Sequence, residues 1–304
     1  MSTGKRLLRR AAALLCPLVL TGCAASQPER LTNERFLSLD GIAALTISYD
    51  EESLVFFESD SDRLILREYM TADDSRYHAR VTEGEDGIQI REGGKPLFKG
   101  DFSRRVEVGL PPTYHGRLTV TTTDGPIDLT NVALDLSELR VDSTSGEIRL
   151  ADATATAMAL SSTRGTMTLE RIAADDIHIE TTDGNVYCDG LSGSVTYATT
   201  HGSADFRSAV GCGSYTASNS GDLYVAYIQV SGDLSLFNKN GDIHLTLPKS
   251  LSFRLTARTK NGTIQTDFPQ LLAEDDAGVS GVVGENPAAN VTVETRNGAI
   301  RLAQ

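Results

Sequence analysis

The sequence predicts an all-β protein, specifically a parallel β-solenoid (β-helix) of about nine rungs with an N-terminal β cap. Three observations support this prediction. A glycine-centred pattern recurs through residues 118–302, apolar residues alternate with a period of two on both sides of each glycine, and no sustained helical periodicity occurs. A fixed repeat of about 20 residues is typical of stacked repeat architectures, and an apolar period of two is that of a strand.

The repeat glycines set the spacing of the predicted units. Seven of the eight intervals between them lie between 18 and 21 residues, and the last is 36. The glycines are Gly125, Gly146, Gly165, Gly184, Gly202, Gly221, Gly241, Gly262 and Gly298. One two-strand unit cannot bury its apolar face alone, so we expect successive units to stack about 4.8 Å apart and to bury equivalent residues together.

The positions after each glycine define the predicted core columns. Residues two and four places after the glycine are mostly apolar, as at Ile148 and Leu150. A third apolar position, seven places after the glycine, is predicted to fill a corner of the coil; it is occupied by Val132, Ile172, Leu191 and Ile228. Seven of the nine turns place Asp, Asn or Ser before the glycine, and such pairs tolerate positive φ and reverse a strand sharply.

The chain start predicts export and lipid attachment. Residues 1–22 read as a lipoprotein signal peptide, with a basic leader, an apolar stretch over residues 11–20, and a lipoprotein-type cleavage pattern at residues 20–23. Ten apolar residues are too few to span a bilayer. Cys23 is therefore the predicted lipid-attachment residue, and residues 23–35 the lipidated cysteine and a polar tether. We expect the protein on the extracytoplasmic face of a bacterial membrane, with the membrane as a partner through its anchor.

The rest of the chain divides into two predicted parts. Residues 36–112 contain short apolar strand candidates without the regular period and are predicted to form the N-terminal β cap. Residues 113–304 form the predicted solenoid. The long last interval, residues 268–290, is rich in Gly, Pro and acidic residues and is predicted to be a surface insertion.

Charge and cysteine content limit the partners. The chain has 28 basic and 41 acidic residues, and residues 1–22 contain four of the basic ones, so the mature part carries a net charge of about −17. Such a body disfavours nucleic acid and anionic headgroups.

The two cysteines of the predicted solenoid occupy different positions. Cys188 occupies an inward column, whereas Cys212 lies at a different offset. Stacking therefore does not imply a bridge between them, although an oxidising compartment permits one.

Three segments together resemble a known family. They are Val106-Glu-Val-Gly-Leu-Pro111, the repeat over residues 118–129, and the closing repeat over residues 291–302. In these motifs, and over about residues 40–303, the chain is similar to a bacterial adhesin-like β-solenoid family of unknown function. The resemblance implies a parallel β-solenoid at the cell envelope and supplies no catalytic residues.

Catalytic and metal-binding patterns are sparse in the sequence. There is no Gly-x-Ser-x-Gly elbow and no phosphate-binding loop. His178, His201 and His244 lie at different offsets from their glycines, which argues against a zinc cluster. The sequence indicates no cofactor.

One outward column brings aromatic and ionisable residues together. Three places after their glycines, four consecutive units carry Tyr187, Asp205, Tyr224 and His244. Two interpretations remain open: an ordinary ladder of exposed residues, or a face that binds sugar or a protein partner, because exposed aromatic patches often mark binding sites. We expect a non-enzymatic envelope scaffold or adhesin-like binding module, with an envelope protein or polysaccharide as partner.

The alternative is a polysaccharide-active β-helix enzyme. Such an enzyme needs carboxylates grouped on one outer face, one of them acting as a general acid. Asp222 and Asp242 stand two places before Tyr224 and His244, so they could join Asp205 in such a group. The two functions differ in whether these three carboxylates line a groove or lie on a flat sheet.

Overall fold

The computed structural model describes residues 28–97, 100, 102–275 and 278–304, and all regular secondary structure in this part of the chain is β-strand. The predicted signal peptide and Cys23 lie outside the described residues. The strands are β1 (Arg30–Ser38), β2 (Ala44–Ser48), β3 (Ser53–Glu58), β4 (Arg63–Met70), β5 (Arg80–Glu83), β6 (Gly87–Arg91), β7 (Arg104–Leu110), β8 (Arg117–Thr122), β9 (Ile127–Asn131), β10 (Leu134–Ser143), β11 (Ile148–Ser162), β12 (Met167–Thr181), β13 (Val186–Thr199), β14 (Ala204–Ala217), β15 (Leu223–Asn240), β16 (Ile243–Thr246), β17 (Phe253–Asn261), β18 (Ile264–Thr266), β19 (Leu272–Asp275), β20 (Gly278–Val283), β21 (Ala289–Asn297) and β22 (Ile300–Ala303).

Equivalent segments of successive repeats pair in parallel. Segments that precede the repeat glycines pair with one another, and segments that follow the glycines also pair with one another, which gives two parallel ladders. We call the two segments that flank one glycine, one from each ladder, a level. Between β11 and β12, for example, Ile148 lies opposite Met167 and Leu160 opposite Ile179. Most inward residues of both ladders are buried, as at Leu150, whereas Ile264 in the level of Gly262 is only partly buried. The alternation of buried and exposed residues therefore follows the strand period that the sequence shows.

The repeat glycines are required mainly by close approach of the backbone. A Cβ at Gly146 would overlap the carbonyl oxygen of Gly125, and a Cβ at Gly165 would overlap that of Gly146. Among the nine repeat glycines only Gly221 has a positive φ, 112°. The positive-φ explanation drawn from the turn dipeptides is therefore wrong for the other eight, where a side chain would prevent neighbouring levels from stacking.

A second corner occurs six residues after the glycine in four consecutive levels. Asp152, Arg171 and Ser208 adopt left-handed φ values of 53°, 51° and 54° there, and Gly190 occupies the same position with φ 78°. The Arg171 Nε lies 2.6 Å from the Asp152 Oδ1, which ties two neighbouring corners together. The strain of three non-glycine residues at positive φ is held by the pairing on both sides.

The corner prediction is wrong at Ile228. Val132, Ile172 and Leu191 are buried as expected, but Ile228 is 64% exposed. The pairing of β14 with β15 slips by one residue here: Phe206 lies opposite Val225, and Ala209 lies opposite Tyr227. Tyr227 therefore fills the corner that Ile228 was expected to fill.

The last two repeats stack out of sequence order. β21 pairs with β15 on one side and with β17 on the other, and β22 lies likewise between β16 and β18. The closing repeat is therefore inserted between the levels of Gly241 and Gly262, contrary to the expectation that successive units stack in order. The glycine contacts agree, because a Cβ at Gly262 would overlap the carbonyl oxygen of Gly298.

The predicted insertion contains two short strands. β19 and β20 pair antiparallel with each other, and β20 pairs antiparallel with β17. Within the described residues, β20 thus covers the side of β17 that β21 leaves open. Phe268, at the start of this segment, is buried and packs edge-on against Phe253 with ring centroids 5.2 Å apart.

The first part of the chain also stacks out of order. β2 and β3 pair in parallel with β8 and β9, and β6 and β7 pair in parallel with the other sides of β2 and β3. Antiparallel strands follow: β4 on β7, β1 on β4, and β5 on β6. Because β1 begins at Arg30, residues 30–35 belong to a paired strand and not to the predicted tether.

The two described cysteines are both free. Cys188 lies in the inward column opposite Phe206, whereas Cys212 lies opposite Ser194 at the edge of the second corner. The bridge that the sequence left open is absent from this structure.

Candidate functional site

The predicted outward column forms one continuous row across four levels. Tyr187 lies opposite Asp205, Asp205 opposite Tyr224, and Tyr224 opposite His244. We call these four residues the aromatic–acidic strip. The parallel ladder places them at the spacing of neighbouring strands, about 4.8 Å. The structure thus brings together the four residues that the sequence singled out.

The two tyrosines of the strip are partly exposed, and the ring of Tyr224 stacks on that of His244. Tyr187 is 50% exposed and Tyr224 42% exposed. The rings of Tyr224 and His244 stack with centroids 4.6 Å apart and an interplanar angle of 15°. Burial and then the neighbouring carboxylates of Asp222, Asp242 and Asp205 raise the pKa of Tyr224, so the phenol stays neutral and can donate a hydrogen bond at neutral pH.

Asp205 is paired with an arginine that the sequence analysis did not single out. The Arg207 Nη2 lies 2.6 Å from the Asp205 Oδ2, and the hydrogen bonds to Asp205 raise the pKa of the Arg207 guanidinium. Arg207 stands two residues after Asp205 in the same strand, so the strand period alone would have placed it on the same face. It adds a cation to the strip.

A shallow cavity of about 210 Å³ lies beside Tyr187. It is lined by Thr168, Leu169, Glu170, Tyr187, Cys188, Asp189, Asp205 and Arg207. Ring, carboxylate and guanidinium therefore border one depression in an otherwise regular sheet face. This combination can stack on a flat ring and hydrogen-bond to hydroxyl groups.

The carboxylates of Asp222 and Asp242 hydrogen-bond to neighbouring levels and do not border the cavity. The Asp222 Oδ1 accepts a hydrogen bond from the backbone N–H of Asp242 at 2.9 Å, and the Asp242 Oδ1 accepts one from the backbone N–H of Ala299 at 2.7 Å. Each carboxylate thus ties its level to the next one. Neither belongs to the residues that line the depression beside Tyr187, so the three carboxylates do not line a common groove.

Metal ligands are not grouped in the part of the chain that the structure describes. No set of three or more His, Cys, Asp or Glu side chains there could hold a metal ion. His201 instead lies 2.8 Å from the Asp183 carboxylate, and His178 lies 3.6 Å from that of Glu180, each as a separate pair. Among the same residues, no helix has the length and apolar character to cross a membrane.

The fold and the strip define an all-β repeat protein with an exposed aromatic–acidic surface row. The chain belongs to the Toastrack DUF4097 family, whose model matches residues 42–303. This confirms the family resemblance drawn from the repeat motifs. It also confirms the all-β class.

The chain also matches solved structures at low sequence identity. A putative cell adhesion protein from Clostridium sporogenes is 12% identical, with 91% of this chain and 99% of that chain covered and a TM-score of 0.32. A putative adhesin from Parabacteroides distasonis is 10% identical, covering 90% and 97%, with a TM-score of 0.41. Another putative adhesin, from Parabacteroides merdae, is 11% identical, covering 90% and 96%, with a TM-score of 0.40. No curated protein matches the chain.

Proposed function

We propose that this protein is a non-enzymatic binding module of the bacterial cell envelope, anchored through an acylated Cys23, and that its aromatic–acidic strip contacts the partner. The observation that carries the proposal is the strip itself: two half-exposed tyrosines, a stacked histidine and a paired Asp205 in one row. The backbone of this row is held in a parallel ladder, so the protein would lose little conformational entropy on binding.

The architecture suits such a role. We propose that the paired levels form a parallel solenoid of nine glycine-marked rungs, extended at the N-terminal end by the two levels built from β2, β3, β6 and β7. A stack of this kind presents long surfaces and needs no enclosed site. The strip spans the levels of Gly184, Gly202, Gly221 and Gly241, with five levels on its N-terminal side and the levels of Gly298 and Gly262 on the other.

The partner class follows from the side chains of the strip. Exposed tyrosine rings, together with hydrogen-bonding carboxylate and guanidinium groups, suit the apolar faces and hydroxyl groups of a polysaccharide. An envelope protein is the second candidate, because Tyr and Arg are enriched at the centres of protein interfaces. The polysaccharide-active enzyme is disfavoured, since Asp222 and Asp242 are engaged by backbone N–H groups.

The test removes both exposed rings of the strip. Purified protein that starts at residue 24, and so lacks both the apolar stretch of residues 11–20 and the acylated cysteine, is mixed with an envelope preparation and sedimented. Tyr187→Ala with Tyr224→Ala should weaken binding roughly thirty-fold, as expected when an interface loses an aromatic anchor, while the melting temperature changes little. Treating the envelope with periodate or with protease shows whether the partner is a glycan or a protein.

A matched control removes exposed apolar side chains elsewhere. Ile228→Ala with Val282→Ala takes away two residues that are 64% and 39% exposed but do not belong to the strip. This pair should leave envelope binding unchanged. Full binding by a folded Tyr187→Ala, Tyr224→Ala protein would show that the strip is not the partner face.

A further inference from the structure

The N-terminal end of the stack contains a cavity of about 970 Å³. It lies between the two edge strands of this end, with Arg35 contributed by β1 and Arg80 by β5. Residues 75–79, Val81 and residues 94–97 complete its lining. The cavity thus opens where the ladders end, well away from the aromatic–acidic strip.

The loops around this cavity are held by a buried arginine. The Arg104 side chain is fully buried; its Nη1 donates to the Tyr77 carbonyl oxygen at 2.6 Å, and its Nη2 lies 3.0 Å from the Glu52 Oε1 and 2.5 Å from the Glu92 Oε1. The Gly94 N–H also donates to the Arg76 carbonyl oxygen at 2.8 Å. Charge-assisted hydrogen bonds to the buried Arg104 therefore hold the lining of the cavity against the core.

The lining carries cations and no carboxylate. Arg35, Arg76, Arg80 and Lys95 border the cavity, together with His78, whose Nε2 lies 3.6 Å from the Asp73 Oδ1. Two of them are already compensated, because Arg76 lies 2.6 Å from the Asp74 carboxylate and Lys95 lies 2.8 Å from that of Glu92. Neither Arg35 nor Arg80 makes an ion pair with any residue that the structure describes. Positive charge is thus left uncompensated here in a chain whose net charge is −13.

Exposed apolar side chains accompany these cations. Leu97, which lines the cavity, is 92% exposed. Leu31 and Phe36 on β1 are 45% and 50% exposed, but they do not line the cavity, and Phe36 lies on the opposite face of β1 from Arg35. All three are among the seven exposed large apolar residues in the described part of the chain. Uncompensated arginines beside an exposed leucine are typical of surfaces that lie in the headgroup region of a bilayer.

The predicted anchor places this end close to the membrane. Only residues 24–29 separate Cys23 from β1, which begins at Arg30. A fully extended chain spans at most about 3.5 Å per residue, so the start of β1 cannot be more than about 25 Å from an acylated Cys23. The length of chain outside the structure therefore keeps the start of β1 within reach of the lipid surface in the proposed anchored state.

We propose that the N-terminal end of the stack docks on the bilayer and that the Arg35–Arg80 cavity binds the anionic headgroup of a phospholipid, with Leu97 inserted among the lipids. The proposal rests on the lipid anchor of the proposed function. It reverses locally the expectation from the whole-chain charge that anionic headgroups are disfavoured. It also orients the stack, so that the strip is carried away from the membrane surface.

The chain contains no tryptophan, so a single introduced tryptophan reports its own surroundings. Full-length acylated protein carrying Leu97→Trp is reconstituted into brominated vesicles of phosphatidylcholine alone, or of equal parts phosphatidylcholine and phosphatidylglycerol. We expect a blue shift and strong quenching in the vesicles that contain phosphatidylglycerol, and weaker quenching without it. Ile228→Trp, an exposed site on β15, is the matched control and should remain unquenched in both.

The headgroup contact is tested by neutralising the two free arginines. Adding Arg35→Gln and Arg80→Gln to Leu97→Trp should weaken the local attraction about five-fold for each arginine and remove most of the quenching. Arg254→Gln with Arg258→Gln, two exposed arginines on β17, should leave it unchanged. A competing high concentration of glycerol phosphate should not displace the acylated protein's Leu97→Trp from the lipid; displacement would assign the cavity to a soluble phosphate compound instead.

The outcomes separate docking from anchoring. If palmitate is incorporated at Cys23 but Leu97→Trp is not quenched in phosphatidylglycerol vesicles, the docking proposal is wrong and the anchor stands. If palmitate is not incorporated, the anchor itself is wrong. Equal quenching of Leu97→Trp and Ile228→Trp would overturn the orientation.

Discussion

At the scale of single residues, the repeat glycines set how closely neighbouring levels approach. A Cβ at each of them would overlap a backbone carbonyl oxygen of the adjacent level. Buried hydroxyl groups support the same turns: the Gly184 N–H donates to the Thr181 Oγ1 and the Gly202 N–H to the Thr199 Oγ1, both at 2.9 Å. The glycine column and the Ser/Thr column therefore act together to close each turn.

Replacing a repeat glycine should be costly even with the smallest side chain. Gly165→Ala forces a Cβ against the Gly146 carbonyl oxygen, and we expect a loss of about 1–3 kcal/mol in the free energy of unfolding. Gly87→Ala is the control, because its Cβ would lie 3.4 Å from the Ala44 carbonyl oxygen, an ordinary contact. Urea denaturation measures both, and equal midpoints would contradict the close-approach explanation.

The buried cysteine should be chemically inert in the native protein. Burial raises the pKa of the Cys188 thiol to about 12, which leaves roughly a thousand-fold less thiolate than in a free cysteine. Native protein treated with iodoacetamide should therefore be alkylated at Cys212, which is partly exposed, long before Cys188. Peptide mass spectrometry reads out both sites, with denatured protein as the control in which both react. A Cys188–Cys212 disulfide peptide would refute the structure at this point.

At the scale of elements, both ends of the stack are finished in the same way. Near each end, one level is placed out of sequence order between two others, and antiparallel strands follow it: β1, β4 and β5 at the start of the chain, β19 and β20 near its end. Open parallel edges invite pairing with other chains. The antiparallel strands cover part of these edges, so the ends combine insertion with capping.

The position of β21 and β22 predicts an unusual sensitivity to C-terminal truncation. Ending the chain after Glu285 removes both strands from the interior of the stack and takes one partner strand from each of β15, β16, β17 and β18. We expect loss of soluble, cooperatively unfolding protein, as judged by expression yield and limited proteolysis. Replacing residues 270–285 with a short Gly-Ser linker removes the β19–β20 hairpin but keeps β21 in place, and should cost far less. Comparable folding of the two variants would contradict the inserted position.

At the scale of the whole molecule, the surfaces differ in chemistry along the stack. The N-terminal end carries uncompensated arginines and exposed Leu97, whereas the levels of Gly184 to Gly241 carry the aromatic–acidic strip. In the proposed orientation, the N-terminal end contacts the lipid surface, and the strip lies away from the membrane, where an envelope partner can reach it. Membrane attachment and partner binding would then use separate parts of one stack.

The anchor is tested directly at its predicted attachment residue. Cys23→Ser removes the thiol that would take the diacylglyceryl group, so we expect loss of radiolabelled palmitate from the protein and its release from, or uncleaved retention in, the membrane fraction. Cys212→Ser is the control, because that residue lies within the folded stack and should not affect labelling. Unchanged palmitate incorporation in Cys23→Ser would refute the lipoprotein prediction.

The sequence by itself determined the all-β class, the inward columns and the outward row of the strip. The physical reason is local: in a strand, alternate residues face opposite sides, so a fixed offset from each glycine reports the same face in every repeat. This is why Ile148, Leu150 and Tyr224 lie where the pattern predicts. The same strand period also predicts that Arg207, two residues after Asp205, lies on the face of the strip.

Tertiary structure alone decided which repeats are neighbours at the two ends. Repeats with the same pattern fit the same edge equally well, so the pattern cannot show that β21 lies between β15 and β17. The one-residue slip that buries Tyr227 and exposes Ile228 likewise depends on the partner strand. The cationic cavity, too, joins Arg35 to Arg80 from different ladders, because strand pairing acts between residues far apart in the chain.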